Sequence, residues 1–263
     1  MLRNAKDLRN LVIAARDGDL GKVKDLYFDD AHWTIRHIEA DTGGWLTGRR
    51  VLISPYAVRG MDWVSNRMQV SLTRAQVENS PPVDAHKPVS RQEEEQLYMH
   101  YGYPYYWGGP SVWGTGAMPM APGLAAPPAA QPVTPTNTAT ELENMRAMQA
   151  VRPEDGRLRS VNEVVGYRIE ATDGGIGHVD DFLFEDDTWA MRYLPVATRD
   201  WLPGKRVLIG LDWIDRVSWP EEKLFVHVTR EQVQTSPEYT GTLTRDYESA
   251  LHGHYGRIGY WPP

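Results

Sequence analysis

The chain has 263 residues, of which 41% are hydrophobic and 24% are charged, as in folded globular proteins rather than disordered ones. It contains no cysteine, which excludes disulfides, cysteine metal sites, iron–sulfur clusters and a thiol nucleophile. The formal net charge is −7, so we do not expect a nucleic-acid partner, because phosphate binding needs an excess of basic residues. The first residues, MLRNAKDLRNL, lack the apolar core of a signal peptide, which predicts a cytoplasmic protein.

The charge is unevenly distributed along the chain. Residues 1–109 hold 14 basic and 14 acidic side chains, residues 110–140 hold none, and residues 141–263 hold 14 basic and 21 acidic ones. The first half is therefore neutral and the second half carries the whole negative excess.

The first half alternates polar and apolar residues with a period of two, which predicts short β-strands. Asp29 and Asp30 are typical turn residues, so the strands on either side of them should form a hairpin. Thr73 is placed to cap a helical turn, and Ser90 with Glu93 is a capping-box pattern. The predicted strands cover residues 21–28, 33–38, 49–53, 58–63 and 68–72, and a helix covers residues 90–98.

A stretch without charge follows, from Gln96 to Thr140. Its many prolines would break a membrane-spanning helix, so the stretch from residue 108 to 140 is interpreted as a flexible Pro/Ala linker. A coil of that length has a root-mean-square span of about 30 Å. Residues 141–150 form a short helical candidate. The predicted domains are residues 1–107, a linker with a short helix at 108–150, and residues 151–263.

The second half repeats the first. With an offset of 156, residues 17–81 align without a gap on residues 173–237, and 25 of these 65 positions are identical. With an offset of 154, His100-Tyr101-Gly102 and Trp107 align on His254-Tyr255-Gly256 and Trp261. The sequence therefore predicts a tandem duplication of a unit of about a hundred residues. The residues chosen as its signature are Gly21, Asp25, Trp33, Arg36, Trp45 and Gly48, with Gly177, Asp181, Trp189, Arg192, Trp201 and Gly204.

The motifs DG-x-x-G-x-V-x-D-x-x-F-D-D, W-x-I-R, W-L-x-G-R-R-V-L-I-S-P and L-T-R-x-Q-V-x-x-S-P-P resemble the PRC-barrel domain. That family is known from the cytoplasmic part of the photosynthetic reaction-centre H subunit, and more distantly from a ribosome-maturation factor. The resemblance covers about 200 residues and both repeats, although the second departs from the pattern at residues 210–212. It implies an all-β fold of two small six-stranded barrels in tandem, each with a short C-terminal helix. No membrane helix precedes the first repeat, so we do not expect the H subunit itself.

Catalytic and ligand motifs are missing from the sequence. We found no nucleophile elbow, phosphate loop, dinucleotide fingerprint or H-E-x-x-H motif, and His252 aligns on Tyr98 rather than on a second histidine. The aspartates near the hairpin turns favour backbone bonding over a cation or proton-conducting site. The repeated Trp and Arg residues favour barrel packing over base stacking. We therefore predict no catalytic, cofactor or metal site and no enzyme activity.

Aromatic tails close both repeats and are the predicted partner surface, because exposed aromatic residues mark interfaces. Their residues are Tyr101, Tyr103, Tyr105, Tyr106 and Trp107 in the first repeat and Tyr255, Tyr260 and Trp261 in the second. We predict a non-enzymatic adaptor with protein partners and no membrane span. A homo-oligomer, and a bacterial membrane-associated complex with the chain held at the inner membrane by a partner, stay open. The resemblance supplies two alternatives: electron and proton transfer to quinone in the light reaction of photosynthesis, or ribosome assembly and RNA processing.

Overall fold

A computed structural model describes residues 1–44, 46, 50–83, 89–120, 158–198 and 205–261. Four residues of the repeat signature lie outside this part of the chain: Trp45, Gly48, Trp201 and Gly204. Residues 121–157, which include most of the predicted linker and the predicted helix at 141–150, lie outside it as well.

The first half begins with a short strand and ends with a helix of three turns. Its elements are β1 Leu2–Asn4, α1 Ala5–Leu8, β2 Val12–Ala15, β3 Gly18–Asp29, β4 Thr34–Asp41, β5 Val51–Ile53, a 3-10 turn Pro55–Ala57, β6 Val58–Asp62, β7 Arg67–Val70, α2 Arg74–Glu78 and α3 Arg91–Tyr101.

The second half has the same order of elements, except that two strands stand where the first half has β3. Its elements are β8 Leu158–Ser160, α4 Val161–Val164, β9 Arg168–Ala171, β10 Gly174–Val179, β11 Leu183–Glu185, β12 Met191–Ala197, β13 Arg206–Gly210, a 3-10 turn Leu211–Trp213, β14 Ile214–Ser218, β15 Lys223–Val226, α5 Arg230–Thr235 and α6 Arg245–His254.

Most of the elements predicted for the first half are confirmed. Strands β3 and β4 form the antiparallel hairpin. Thr73 accepts the N–H of Gln76 at the start of α2, and Ser90 accepts the N–H of Glu93 at the start of α3, so both caps form as expected.

Residues 177–184 align on the predicted strand 21–28, and the sequence predicts one continuous strand there as well, but the structure has two. Pro195 stands in β12, where the first repeat has Glu39 in β4. Proline has no N–H to donate to a neighbouring strand, so the ladder is interrupted between β10 and β11.

The described strands form two sheets, and the fold is mostly β with a few helices. The first sheet has the order β5-β4-β3-β2-β7-β6. The second has the order β1-β11-β12-β10-β9-β15-β14, with β13 beside β12. Most neighbouring strands are antiparallel, but β2 and β7 run parallel, and so do β9 and β15.

The chain divides into two compact units that do not follow the two halves of the sequence. The N-terminal unit comprises Asn10–Leu158 with Asp187–Trp189, and the C-terminal unit comprises Met1–Arg9, Arg159–Asp186 and Ala190–Pro263. The first nine residues, which the sequence placed with the first repeat, thus belong to the unit built from the second.

Strand β1 is integrated into the C-terminal unit by regular pairing. It lies antiparallel to β11, with Leu2 opposite Glu185 and Asn4 opposite Leu183. The N–H of Ala5 donates to the carbonyl of Phe182 at 2.8 Å. These bonds satisfy the backbone of a three-residue strand that is too short to be stable alone.

Each unit has its own apolar core among the described residues. In the N-terminal unit Ile13, Phe28 and Ile38 are fully buried, and in the C-terminal unit Phe182 and Leu208 are. Full burial of one such side chain contributes about 1.5–3 kcal/mol. No helix in the described part of the chain is both long and apolar enough to cross a lipid bilayer.

Two signature glycines lie at close backbone contacts. Gly21 and Gly177 have φ of 142° and 131°, which disfavours any side chain. A Cβ atom on Gly21 would lie 2.0 Å from the carbonyl oxygen of Asp41, and one on Gly177 would lie 2.2 Å from that of Ala197. Glycine recurs at this position because the Cβ atom of any other residue would collide with the neighbouring backbone.

Candidate interaction surface

A buried ion pair lies at the β3–β4 hairpin of the N-terminal unit. Arg36 Nε donates to Asp29 Oδ2 at 2.6 Å, and 1% and 2% of the two side chains are exposed. Burial alone would raise the pKa of Asp29, but the hydrogen bonds from His32 and the positive charge of Arg36 lower it below its usual range. Asp29 is therefore held ionised inside the unit.

Arg36 also anchors the segment that follows helix α3. Its guanidinium lies 3.9 Å from the ring of Tyr106 and 4.7 Å from that of Trp113, and its Nη1 donates to the carbonyl of Val112 at 2.6 Å. The indole N–H of Trp113 donates to the carbonyl of Thr188 at 2.7 Å. Stacking and hydrogen bonding therefore fix residues 111–114 on their own unit.

Glu94 on α3 is the centre of a second buried cluster. Its Oε1 accepts from the Tyr106 hydroxyl at 2.9 Å and from His37 Nε2 at 3.1 Å, and Arg91 donates to its Oε2 at 2.9 Å. Burial raises the pKa of Tyr106, and the negative charge of Glu94 raises it further. The cluster binds the helix to β4, which carries His37.

The C-terminal unit contains a matching cluster around Glu248 on α6. Its Oε1 accepts from the hydroxyls of Tyr260 at 2.9 Å and Tyr193 at 3.0 Å, and Arg245 lies 3.1 Å from its Oε2. The Tyr193 oxygen also lies 2.9 Å from His252 Nε2. Burial and the charge of Glu248 raise the pKa of Tyr193.

The two clusters place histidine and tyrosine on opposite elements. In the N-terminal unit the strand supplies His37 and the helix Tyr98, whereas in the C-terminal unit the strand supplies Tyr193 and the helix His252. The ring centroids are 5.9 Å apart in both pairs, and both pairs meet edge to face. The pair is thus kept although each position has changed. Sequence reasoning missed the pair because neither aligned position is conserved: His37 aligns on Tyr193, and Tyr98 aligns on His252.

The exposed side of the first tail is a strip of stacked rings, which we call the aromatic strip: Tyr101, Tyr103, Tyr105 and Trp107. Each of the four is half-buried, whereas Tyr106 is buried. Tyr101 stacks on Tyr103 with centroids 5.6 Å apart, and Tyr105 stacks on Trp107 at 4.8 Å. Arg91 lies 4.1 Å above Trp107. The rings therefore have fixed positions while part of each faces solvent.

The second tail presents fewer aromatic residues. Tyr255 is buried and packs on Trp213 with centroids 4.6 Å apart, and burial raises its pKa to about 12. Tyr260 and Trp261 are half-buried, and Arg192 lies 4.2 Å above Tyr260. Whether either tail contacts a partner stays a prediction.

The two aspartates of the repeat signature accept hydrogen bonds from the backbone. Asp25 accepts the N–H of Leu26 at 2.8 Å. Asp181 is fully buried and accepts the N–H of Lys6 at 3.2 Å, and burial raises its pKa to about 6. Among the described residues, no group of three or more His, Asp or Glu is arranged to hold a metal ion.

The repeated tryptophans share an unusual backbone. Trp33 and Trp189 have φ of 50° and 60°, a conformation that bulky residues rarely adopt. Trp33 stacks on Phe28 with centroids 5.2 Å apart, and Trp189 is buried. Packing of the indole rings offsets the backbone strain at both positions.

Comparison with known families identifies one part of the chain. The family model of the PRC-barrel domain matches residues 3–77. Residues 3–77 form a PRC-barrel domain. The match begins within β1, so this PRC-barrel domain includes residues 3–9, which the structure assigns to the C-terminal unit. No curated protein matches the chain closely enough to be called a relative.

Proposed function

We propose that the chain acts by binding other proteins rather than by catalysis, and that the aromatic strip is a contact surface. The observation that carries the proposal is that the four residues of the strip are half-buried, so that part of each faces solvent, and are held in stacked pairs. Tyrosine and tryptophan dominate the energetically important contacts of protein interfaces. A ring that is already fixed loses little conformational entropy when a partner binds.

The proposal extends to the second half, which we propose folds as a second PRC-barrel domain. Its support is the 25 identical positions in 65, the same order of elements, and the shared glycine contacts and glutamate clusters. The second half carries the negative excess, so the two domains would select partners of different charge.

The test is a partner comparison with a matched control. The full chain, tagged and expressed at its native level, is crosslinked in its own cells and purified, and bound proteins are quantified by mass spectrometry. The test variant is Tyr105→Ala with Trp107→Ala. The control is Met99→Ala, which removes a side chain on α3 that is 65% exposed and lies outside the strip. Thermal unfolding of both variants checks that they fold.

We expect the double variant to lose a reproducible set of partners at least tenfold, whereas the control retains them. Equal recovery by the two variants would remove the strip as the contact surface. The identity of the lost partners decides between roles. Ribosomal small-subunit proteins would favour ribosome assembly, and reaction-centre proteins would favour a photosynthetic role.

A further inference from the structure

Arg36 and Arg192 occupy matching positions of the two repeats but differ in how completely they are covered. Only 1% of the Arg36 side chain is exposed, compared with 29% of the Arg192 side chain. Each pairs with an acidic residue and stacks on the matching tyrosine of its tail, Tyr106 or Tyr260. The difference therefore lies in what covers the other side of the guanidinium.

In the N-terminal unit that cover is a short peptide segment of the same chain. The carbonyl of Val112 accepts a hydrogen bond from Arg36, and the indole of Trp113 lies against the guanidinium. The segment is a tight turn, since the N–H of Ser111 donates to Gly114 and the N–H of Gly114 donates to Ser111. The arginine site at Arg36 thus binds a backbone carbonyl and an indole ring.

In the C-terminal unit the described residues cover and hydrogen-bond only part of the Arg192 side chain. Its Nη2 donates to Glu185 at 2.8 Å and its guanidinium lies 4.2 Å from the ring of Tyr260. Its Nε is buried and has no hydrogen-bond partner in the described part of the chain. That atom is out of reach of a ligand, but 29% of the Arg192 side chain is exposed, compared with 1% for Arg36, so a ligand has access to part of it.

We propose that Arg192 and Tyr260 form a binding site for a tryptophan-bearing peptide turn of a partner protein. The inference rests on the proposed interaction function and gives it a second location and a partner chemistry. The partner's indole stacks on the guanidinium of Arg192, as Trp113 does on Arg36, and a backbone carbonyl accepts from the guanidinium.

The surrounding charge favours a neutral peptide over a phosphate-bearing ligand. Glu185 and Glu248 lie within hydrogen-bond distance of Arg192 and of Tyr260, respectively. These carboxylates repel an anion, whereas an indole ring and a carbonyl carry no net charge.

The experiment uses the peptide that the chain itself provides. A fluorescein-labelled peptide of residues 108–116, GGPSVWGTG, is titrated with the full-length protein and binding is followed by fluorescence anisotropy. The protein's own copy of this segment keeps its place at Arg36, because a tethered segment has an effective concentration in the millimolar range. The variants are Arg192→Ala, Arg192→Lys and the control Arg216→Ala, whose arginine stacks on Phe225 at 3.5 Å in the same unit.

We expect saturable binding that weakens at least tenfold in Arg192→Ala, in Arg192→Lys and with the peptide carrying Trp113→Ala, and that does not change in Arg216→Ala. Lysine keeps the charge but lacks the planar fork that stacks and donates. No saturation at about 1 mM protein, or equal loss in Arg192→Ala and Arg216→Ala, would overturn the proposal. Either result would leave the aromatic strip untouched, because its test concerns other residues.

Discussion

Replacing Arg36 by methionine should destabilise the protein far more than the same change at Arg192. The Arg36→Met side chain keeps much of the volume but removes the charge that faces Asp29, which is 2% exposed. Asp29 would then have to stay buried with only its hydrogen bonds from His32, or bind a proton. At the matching position Glu185 is 18% exposed and Arg192 29% exposed, so water can solvate the carboxylate after the change.

The expected difference follows from this burial. Removing one partner of a buried ion pair costs about 3–5 kcal/mol, whereas an exposed pair contributes about 0–1 kcal/mol. The first figure is a large part of the roughly 5–15 kcal/mol that holds a domain folded. For a unit of about 150 residues it corresponds to a fall in Tm of more than about 6 °C. Adding Asp29→Asn to Arg36→Met removes the isolated charge and should restore about 1–2 kcal/mol.

Urea unfolding followed by circular dichroism measures these differences, with Arg192→Met as the control. Because two compact units can unfold separately, hydrogen exchange of β4 amides compared with β12 amides assigns each loss to its unit. If Arg36→Met costs no more than Arg192→Met, the Asp29–Arg36 pair does not have the structural weight inferred from its burial.

Three further predictions concern the backbone contacts, one carboxyl group and the first residues. Gly21→Ala and Gly177→Ala should each lower the free energy of unfolding by more than about 2 kcal/mol. Gly60→Ala should change it by no more than about 0.5 kcal/mol, because no atom lies within 4 Å of the added Cβ. Equal effects of the three changes in urea unfolding would refute the close contacts. The pKa of Asp181 is raised to about 6, so between about pH 4 and pH 6 the folded protein binds more protons than the unfolded chain, and its stability falls by about 3 kcal/mol as the pH rises. Asp181→Asn should flatten this dependence and Asp180→Asn should not; a parent protein whose stability does not change over this range would contradict it. Deleting residues 2–8 should speed hydrogen exchange of the Leu183–Glu185 amides at least tenfold, because β11 loses its neighbour β1; unchanged protection would show that β1 is not bound there.

The elements that the sequence predicted well are those with local signals. The start of helix α3 after Ser90 could be predicted because its capping box with Glu93 lies within four consecutive residues. The β3–β4 hairpin could be predicted from the polar–apolar alternation on either side of Asp29 and Asp30. The placement of residues 1–9 had no local signal. Strand β1 has three residues, too few to show a period, and its partner β11 lies about 180 residues further along the chain.

The sequence drew attention to the aromatic residues that follow each helix, and their role as a contact surface stays a prediction. The buried framework beneath these residues had no sequence signal, because Asp29 has the sequence pattern of a solvated turn, yet it is buried and paired with Arg36. The recurrence of Arg36 as Arg192 was visible, but the sequence does not say that one is covered and the other is half open. In the second unit Tyr193 and His252 replace His37 and Tyr98. Recognising this exchange requires both alignment offsets and the knowledge that the strand packs against the helix.

The pairing of β1 with β11 also sets the order of events during synthesis. A ribosome makes about 5–20 residues per second, so Leu2 leaves it roughly 10–35 s before Glu185 does. During that interval the first strand of the chain has no partner, although the rest of the matched domain at residues 3–77 is already complete. Residues 2–4 therefore wait for β11 before they reach their final place, and the C-terminal unit can close only after β11 has been translated.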